Sequence, residues 1–239
     1  MTYLELVNSV LKRLRESTVG SINETVYSTL VGEFVNDAKR VVEDAWPWRS
    51  LIDTVSVPLT SGVQSYDIED YPCDNLGVAP RDRARLFIDP ETGSPLVRIT
   101  TDNEEAYIVK VSQSYQFIER KQAQNDSSYA KPESVIVTVN PSPLDGKSDI
   151  RLQMVPIPDN SYTLQLYLVN PQNALTNAND RLQVPYQPVL QLAYLYCLYE
   201  RGEEVGEMLS LTAEKAKDAL ADAIMHDSSL TSELVFRAE

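Results

Sequence analysis

Chemistry in a protein needs side chains whose protonation, nucleophilicity or ligand strength can be tuned, and this sequence offers few. His226 is the single histidine among 239 residues. That excludes a multi-histidine zinc site. Its place near the end of a helical pattern suits a cation meeting the negative end of a helix dipole. Glu104-Glu105 and Glu203-Glu204 are neighbouring carboxylates of the kind a hydrolase pair uses, but 35 acidic residues make such neighbours commonplace. Asp145-Gly146-Lys147-Ser148-Asp149 lacks the alternating oxygen ligands and terminal Glu of a calcium loop, and reads as a hairpin turn. Cys73 stands in a Tyr-Pro-Cys loop and Cys197 in an apolar helical run. Two such thiols make neither a disulfide framework nor a metal knuckle, and they suit folding in a reducing cytoplasm. With 8 glycines there is no Walker loop or other phosphate cradle. These residues point to no catalytic centre, no cofactor and no metal, and hence to a protein that is not an enzyme.

Charge narrows the classes further. The formal net charge of −14 opposes tight binding to nucleic acid, whose affinity comes largely from Lys and Arg neutralising phosphates. Such a surface serves solubility, or lets nucleic acid pass without sticking. No run approaches the roughly 18 apolar residues of a membrane span. Met1-Thr2-Tyr3-Leu4-Glu5 enters amphipathic structure directly, with no signal-peptide pattern.

The elements that must position these residues follow from hydrophobic period. Thr2-x-x-Glu5 is a capping box, followed by Leu4, Val7, Leu11 and Leu14 at helical spacing. Gly20-Ser21-Ile22-Asn23 breaks that helix, and Ser21 or Asn23 caps the next. The second helix carries Val26, Leu30, Phe34, Val41 and Ala45, flanked by Val35, Ala38 and Val42. Glu33, Asn36, Asp37, Lys39, Arg40, Glu43 and Asp44 form its opposite face. Trp46-Pro47-Trp48 ends it, because proline disfavours helix in the residue before it.

From residue 51 the period falls to two. The runs 54–59, 64–68, 107–111, 134–139, 150–154 and 162–169 alternate polar with apolar and close on turn residues. Helix returns at Pro188–Tyr199, apolar on most of its circumference, and is broken at Arg201-Gly202. A last helix over about 205–226 spaces Ala213, Ala216, Ala219 and Ala223 for close approach to a neighbour. The expected fold is α+β. A four-helix unit built from 1–50 and 180–227 brackets an inserted antiparallel β-sandwich or barrel-like module at 51–179, and 228–239 form an extended C-terminal tail. Phe34, Trp46 and Trp48 are the expected structural anchors at the helix-to-strand junction. In the tail, Leu234, Val235 and Phe236 are apolar residues with no domain to cover them, which suits either a disordered end or a strand offered to another subunit.

Three segments together resemble a known family. They are Tyr3-Leu4-Glu5-Leu6-Val7 through Leu14-Arg15-Glu16, the helix Leu30 to Ala45 with its Trp46-Pro47-Trp48 end, and Ala193 to Glu203 with its Glu-Arg-Gly-Glu end. The family is the head-to-tail adaptors, or tail tubular protein A, of short-tailed bacteriophages. The resemblance implies a twelve-subunit ring beneath the portal that extends the DNA channel and carries a nozzle or fibres. It implies a tail that grips the portal through Leu230, Leu234, Val235 and Phe236. Double-stranded DNA would pass the channel without specific binding, and the protein, made in the host cytoplasm, would reside in the neck or tail of the virion, with no membrane partner. The residues also leave open a tail terminator or baseplate-type part, or a carbohydrate-binding or hydrolytic module in the Tyr-rich β region.

Overall fold

A computed structural model describes residues 1–75, 77, 80, 83–89, 93–101, 104–112, 129–141, 148–202 and 207–229. The fold is α+β, and the chain divides into two compact units, Met1–Leu51 with Gln172–Glu239, and Ile52–Pro171.

The first unit contains four helices among the described residues: α1 (Tyr3–Arg13), α2 (Val26–Ala45), α3 (Tyr186–Arg201) and α4 (Glu207–Ser229). The Thr2/Glu5 capping box opens α1: the Glu5 N–H donates to Thr2 Oγ1 at 3.3 Å, and the Thr2 N–H to Glu5 Oε2 at 2.8 Å. The Thr2 N–H first, with the Thr2 hydroxyl as a smaller contributor, holds the Glu5 carboxyl below the usual range. The cap of α2 is Thr25 rather than Ser21 or Asn23, because residues Ile22–Glu24 form a 3-10 turn that delays the helix start. α3 packs on α1, α2 and α4, which accounts for its nearly continuous apolar surface. Its C-cap is Gly202, in the left-handed conformation at φ 58° that glycine adopts without a side-chain clash. The core gathers Leu6, Val10, Val35, Val42, Val189 and Ala193, all fully buried. Each such valine or leucine side chain contributes about 1.5–3 kcal/mol relative to exposure. Of the alanines spaced along α4, Ala216 is buried and Ala213, Ala219 and Ala223 are half-buried.

The second unit holds β1 (Ile52–Leu59), β2 (Ser65–Asp67), β3 (Arg85–Leu86), β4 (Val97–Thr101), β5 (Glu104–Ile108), β6 (Lys110–Ser112), β7 (Tyr129–Ala130), β8 (Ser134–Pro141), β9 (Ser148–Val155), β10 (Ile157–Pro158) and β11 (Tyr162–Val169). One sheet runs β1-β11-β4-β5 with β3 also on β11; the other runs β2-β9-β8-β6. The long pairs β1/β11 and β8/β9 are antiparallel, while β6/β8 and β7/β10 are parallel. Alternate residues of both sheets, including Val55 and Val57 of β1, Leu164 and Leu166 of β11 and Leu152 and Met154 of β9, form one core. Two faces sharing a core is the packing of a sandwich.

The alternating run 107–111 is two strands. β5 ends at Ile108 in the first sheet and β6 begins at Lys110 in the second, with buried Val109 between them. β4, absent from the expected strands, fills the first sheet between β11 and β5. A buried carboxylate, Asp53, accepts three hydrogen bonds on Oδ1, from the N–H of Thr54, the N–H of Asn75 and Asn75 Nδ2.

Candidate partner-binding surfaces of the helical unit

Lys39 and Glu43 sit one turn apart on α2, on the face that hydrophobic period assigns to solvent. The structure reverses that: they are 2% and 0% exposed. Lys39 Nζ lies 2.9 Å from Glu43 Oε1 and donates to the Gln172 carbonyl at 2.6 Å, while the Gln172 N–H donates to Glu43 Oε1 at 3.1 Å. A buried ion pair needs its remaining valences satisfied, and here the backbone N–H and carbonyl of Gln172 on the returning chain contribute to that. Three residues away, Asn36 repeats the device. Its Nδ2 donates to the Leu175 carbonyl and its Oδ1 accepts the Leu175 N–H at 2.8 Å. The start of α1 is held to the same segment, with the Tyr3 N–H on the Asp180 carbonyl and the Leu4 N–H on Ala178.

The segments carrying the family resemblance have identifiable packing roles. Trp48 is 1% exposed, and its Nε1 donates to the Val42 carbonyl at 2.7 Å, satisfying one of the open acceptors at the end of α2. Trp46 is half-buried and donates to Asp227 Oδ2 at 2.9 Å, tying the end of α2 to the end of α4. Phe34 is half-buried and meets Tyr196 edge to face, with ring centroids 6.2 Å apart. Arg201 joins three segments: Nε donates to the Tyr27 hydroxyl at 2.7 Å, Nη2 pairs with Glu16 at 2.6 Å, and the guanidinium lies 4.7 Å from the Tyr27 ring centroid. At Gly32 an added Cβ would stand 2.5 Å from the Tyr3 hydroxyl, so glycine permits the close approach of α1 to α2.

On α2 the buried stripe is Val31, Val35, Ala38 and Val42. The more exposed side is the one carrying Val26, Phe34 and Val41, of which Val26 is 91% and Val41 45% exposed. Phe34 and Asp37 line a groove against Tyr196, Tyr199 and Glu200 of α3, with a volume of about 460 Å³. Burial first, and the Asp37 carboxylate second, push the Tyr196 phenol above its ordinary range.

At the other end of the fold's short first helix, the Arg15 N–H donates to the Lys12 carbonyl and the Glu16 N–H to Leu11. This is the Schellman pattern, with Arg15 at φ 60° in the position glycine favours. No spacing rule would have exposed it, because the usual signal is the glycine itself.

His226 lies in the last turn of α4. That helix continues through Ser229, two residues into the expected tail. Ser228 Oγ donates to the Met225 carbonyl and Ser229 Oγ to His226. Leu230, Leu234, Val235 and Phe236, Glu203-Glu204 and Asp145–Lys147 lie outside the described residues, as do the side chains of Glu104 and Glu105. Among the described residues no group of three or more His, Cys, Asp or Glu could hold a metal, and no helix is long and apolar enough to cross a membrane. Cys73 and Cys197 are both free and buried, and burial pushes the Cys197 thiol up to about 12.

The well-ordered polar contacts of this unit join one segment of the chain to another, and its open surface is an aromatic and acidic groove. The chain belongs to the SU10 adaptor protein family, a phage head-to-tail adaptor type, whose model matches residues 1–234. It is thus a phage adaptor, a structural component of the virion associated with portal and tail components, in a family that is not enzymatic. No curated protein matches the chain.

Proposed function

We propose that this adaptor forms a ring beneath the portal of a short-tailed phage, as the tail tubular protein A-like resemblance implies with twelve copies. The ring extends the DNA channel and carries the nozzle or fibres. The helical unit makes the contacts between copies, and the β unit meets the next tail component. The last residues grip the portal through Leu230, Leu234, Val235 and Phe236. The observation that carries this reading is the adaptor-family match over residues 1–234, which reaches into the tail as far as Leu230 and Leu234. Net charge of −14 supports it: DNA leaving the capsid is repelled by an acidic wall and finds few basic side chains on which to pause.

The test is co-purification with the portal protein of the same phage, comparing the full chain with one ending at Ser229. That end point retains Asp227 and with it the Trp46 contact. The shortened chain is expected to keep native tryptophan fluorescence and bind the portal about tenfold more weakly or worse. Equal binding would remove the tail from the interface. Electron micrographs showing only monomers on portal-bound samples would refute the ring.

A further inference from the structure

The groove between α2 and α3 has a composition that packing within the unit does not explain. Phe34, Tyr196 and Tyr199 present rings, and Asp37 and Glu200 add carboxylates. Tyr199 is 55% exposed. Among the described residues neither carboxylate has a hydrogen-bonded or ion-paired partner. Aromatic faces beside free carboxylates are the surroundings in which a guanidinium does best. Its flat cation stacks on a ring within about 6 Å and its N–H fork binds carboxylate oxygens.

The same chain carries a matching cation on a different face. Three of the four residues 12–15 are basic (Lys12, Arg13 and Arg15), in a protein of net charge −14. Arg13 is engaged within its own subunit, donating to Gln191 Oε1 at 2.9 Å and lying 5.9 Å from the Tyr194 ring centroid. Arg15 is not: its side chain is exposed and has no hydrogen-bonded or ion-paired partner among the described residues. It also holds a left-handed backbone that glycine would adopt at lower cost, so fold stability does not account for arginine there. On α3 at 100° per residue, Tyr196 lies about 140° round from Gln191 and about 160° from Tyr194. Arg13 and the groove therefore take different sides of α3; among the described residues Arg15 makes no hydrogen bond or ion pair with Asp37 or Glu200 of its own subunit, and the two meet between different copies, head to tail. A head-to-tail contact closes into a ring when its rotation permits.

We infer that Arg15 of one subunit, with Lys12 beside it, docks into the groove formed by Phe34, Asp37, Tyr196, Tyr199 and Glu200 of the next. This contact rests on the ring reading and names its subunit interface.

The experiment measures portal-templated assembly of the full-length chain by sedimentation velocity, for wild type, Arg15→Glu, Asp37→Arg, the double reversal and Arg15→Gly. Either single reversal is expected to weaken assembly about tenfold or more, and the double to recover to within about threefold of wild type. Arg15→Gly is expected to melt at or above the wild-type temperature and still lose assembly, which separates the contact from folding. Single reversals that assemble like wild type, or a double no better than the worse single, overturn the inference. So does loss of portal binding with self-association unchanged, which would give the groove to another partner. A wild-type chain that never assembles on the portal refutes the ring itself, and is recognised without reference to the variants.

Discussion

Replacing Glu43 with leucine removes one half of a fully buried ion pair. It takes from the Lys39 ammonium its carboxylate partner at 2.9 Å and strips the Gln172 N–H of its Glu43 acceptor. Leaving one buried charge uncompensated costs about 3–5 kcal/mol, and an orphaned buried N–H about 1–3 kcal/mol more, with incomplete additivity because the groups are shared. We expect Glu43→Leu to lose about 4 kcal/mol, a large part of the roughly 5–15 kcal/mol that holds a domain together. Glu43→Gln retains an acceptor for the Gln172 N–H and loses about half as much. Lys39→Met combined with Glu43→Leu costs less than Glu43→Leu alone, because no charge remains buried. Urea unfolding followed by tryptophan fluorescence is the assay, since both tryptophans of the chain, Trp46 and Trp48, belong to the helical unit. A loss under about 1 kcal/mol for Glu43→Leu would refute the reasoning, as would a double substitution costlier than the single.

Gly32→Ala forces a Cβ to within 2.5 Å of the Tyr3 hydroxyl and 3.1 Å of Ile22 Cγ2, and is expected to cost about 1–3 kcal/mol in thermal unfolding. Adding Tyr3→Phe, which removes the nearest atom, should return part of that loss. Cys197 is raised from 9.0 to about 12 by burial, so its neutral thiol favours the folded state fully below pH 9. As pH rises above 9 the unfolded thiol ionises first and stability falls, through the window up to about 12; Cys197→Ala should flatten this fall in urea midpoints measured across alkaline pH. Tyr3 and Tyr27, likewise raised by burial, leave a residual slope of the same sign.

Much of the fold was legible in period alone. The Thr2/Glu5 box, the stop at Trp46-Pro47-Trp48, the break at Gly202 and the alternating strands β1, β8, β9 and β11 each rest on local chemistry that sequence displays. What escaped was decided by partners distant in sequence. Lys39 and Glu43 look like solvent residues until Gln172 comes back 129 residues after Glu43 to bond them. Alternation at 107–111 cannot say that the chain leaves one sheet and enters another at Val109. The exposed side of α2 was also hidden: Phe34 and Val41 read as core by type, yet Val41 is exposed and Phe34 lines a groove that depends on Tyr196 and Tyr199 of α3. Arg15 illustrates the converse case, a positive φ that the residue type argues against.

The clamp on Gln172 also sets an order of events during synthesis. Residues 1–51 leave the ribosome with the α1 amides of Tyr3 and Leu4, the Asn36 amide and the Lys39–Glu43 pair all waiting for segment 172–180. At about 5–20 residues per second, the intervening stretch of about 120 residues takes roughly 6–24 s to emerge. Ile52–Pro171 is continuous in sequence, so its sandwich can close while the first two helices still lack their partners. The helical unit, with the α2–α3 groove that exists only once α3 has arrived, is completed after the sandwich segment. On the proposed contact, a newborn subunit offers its siblings no docking groove until residues through Glu200 have emerged, a delay against association on the polysome.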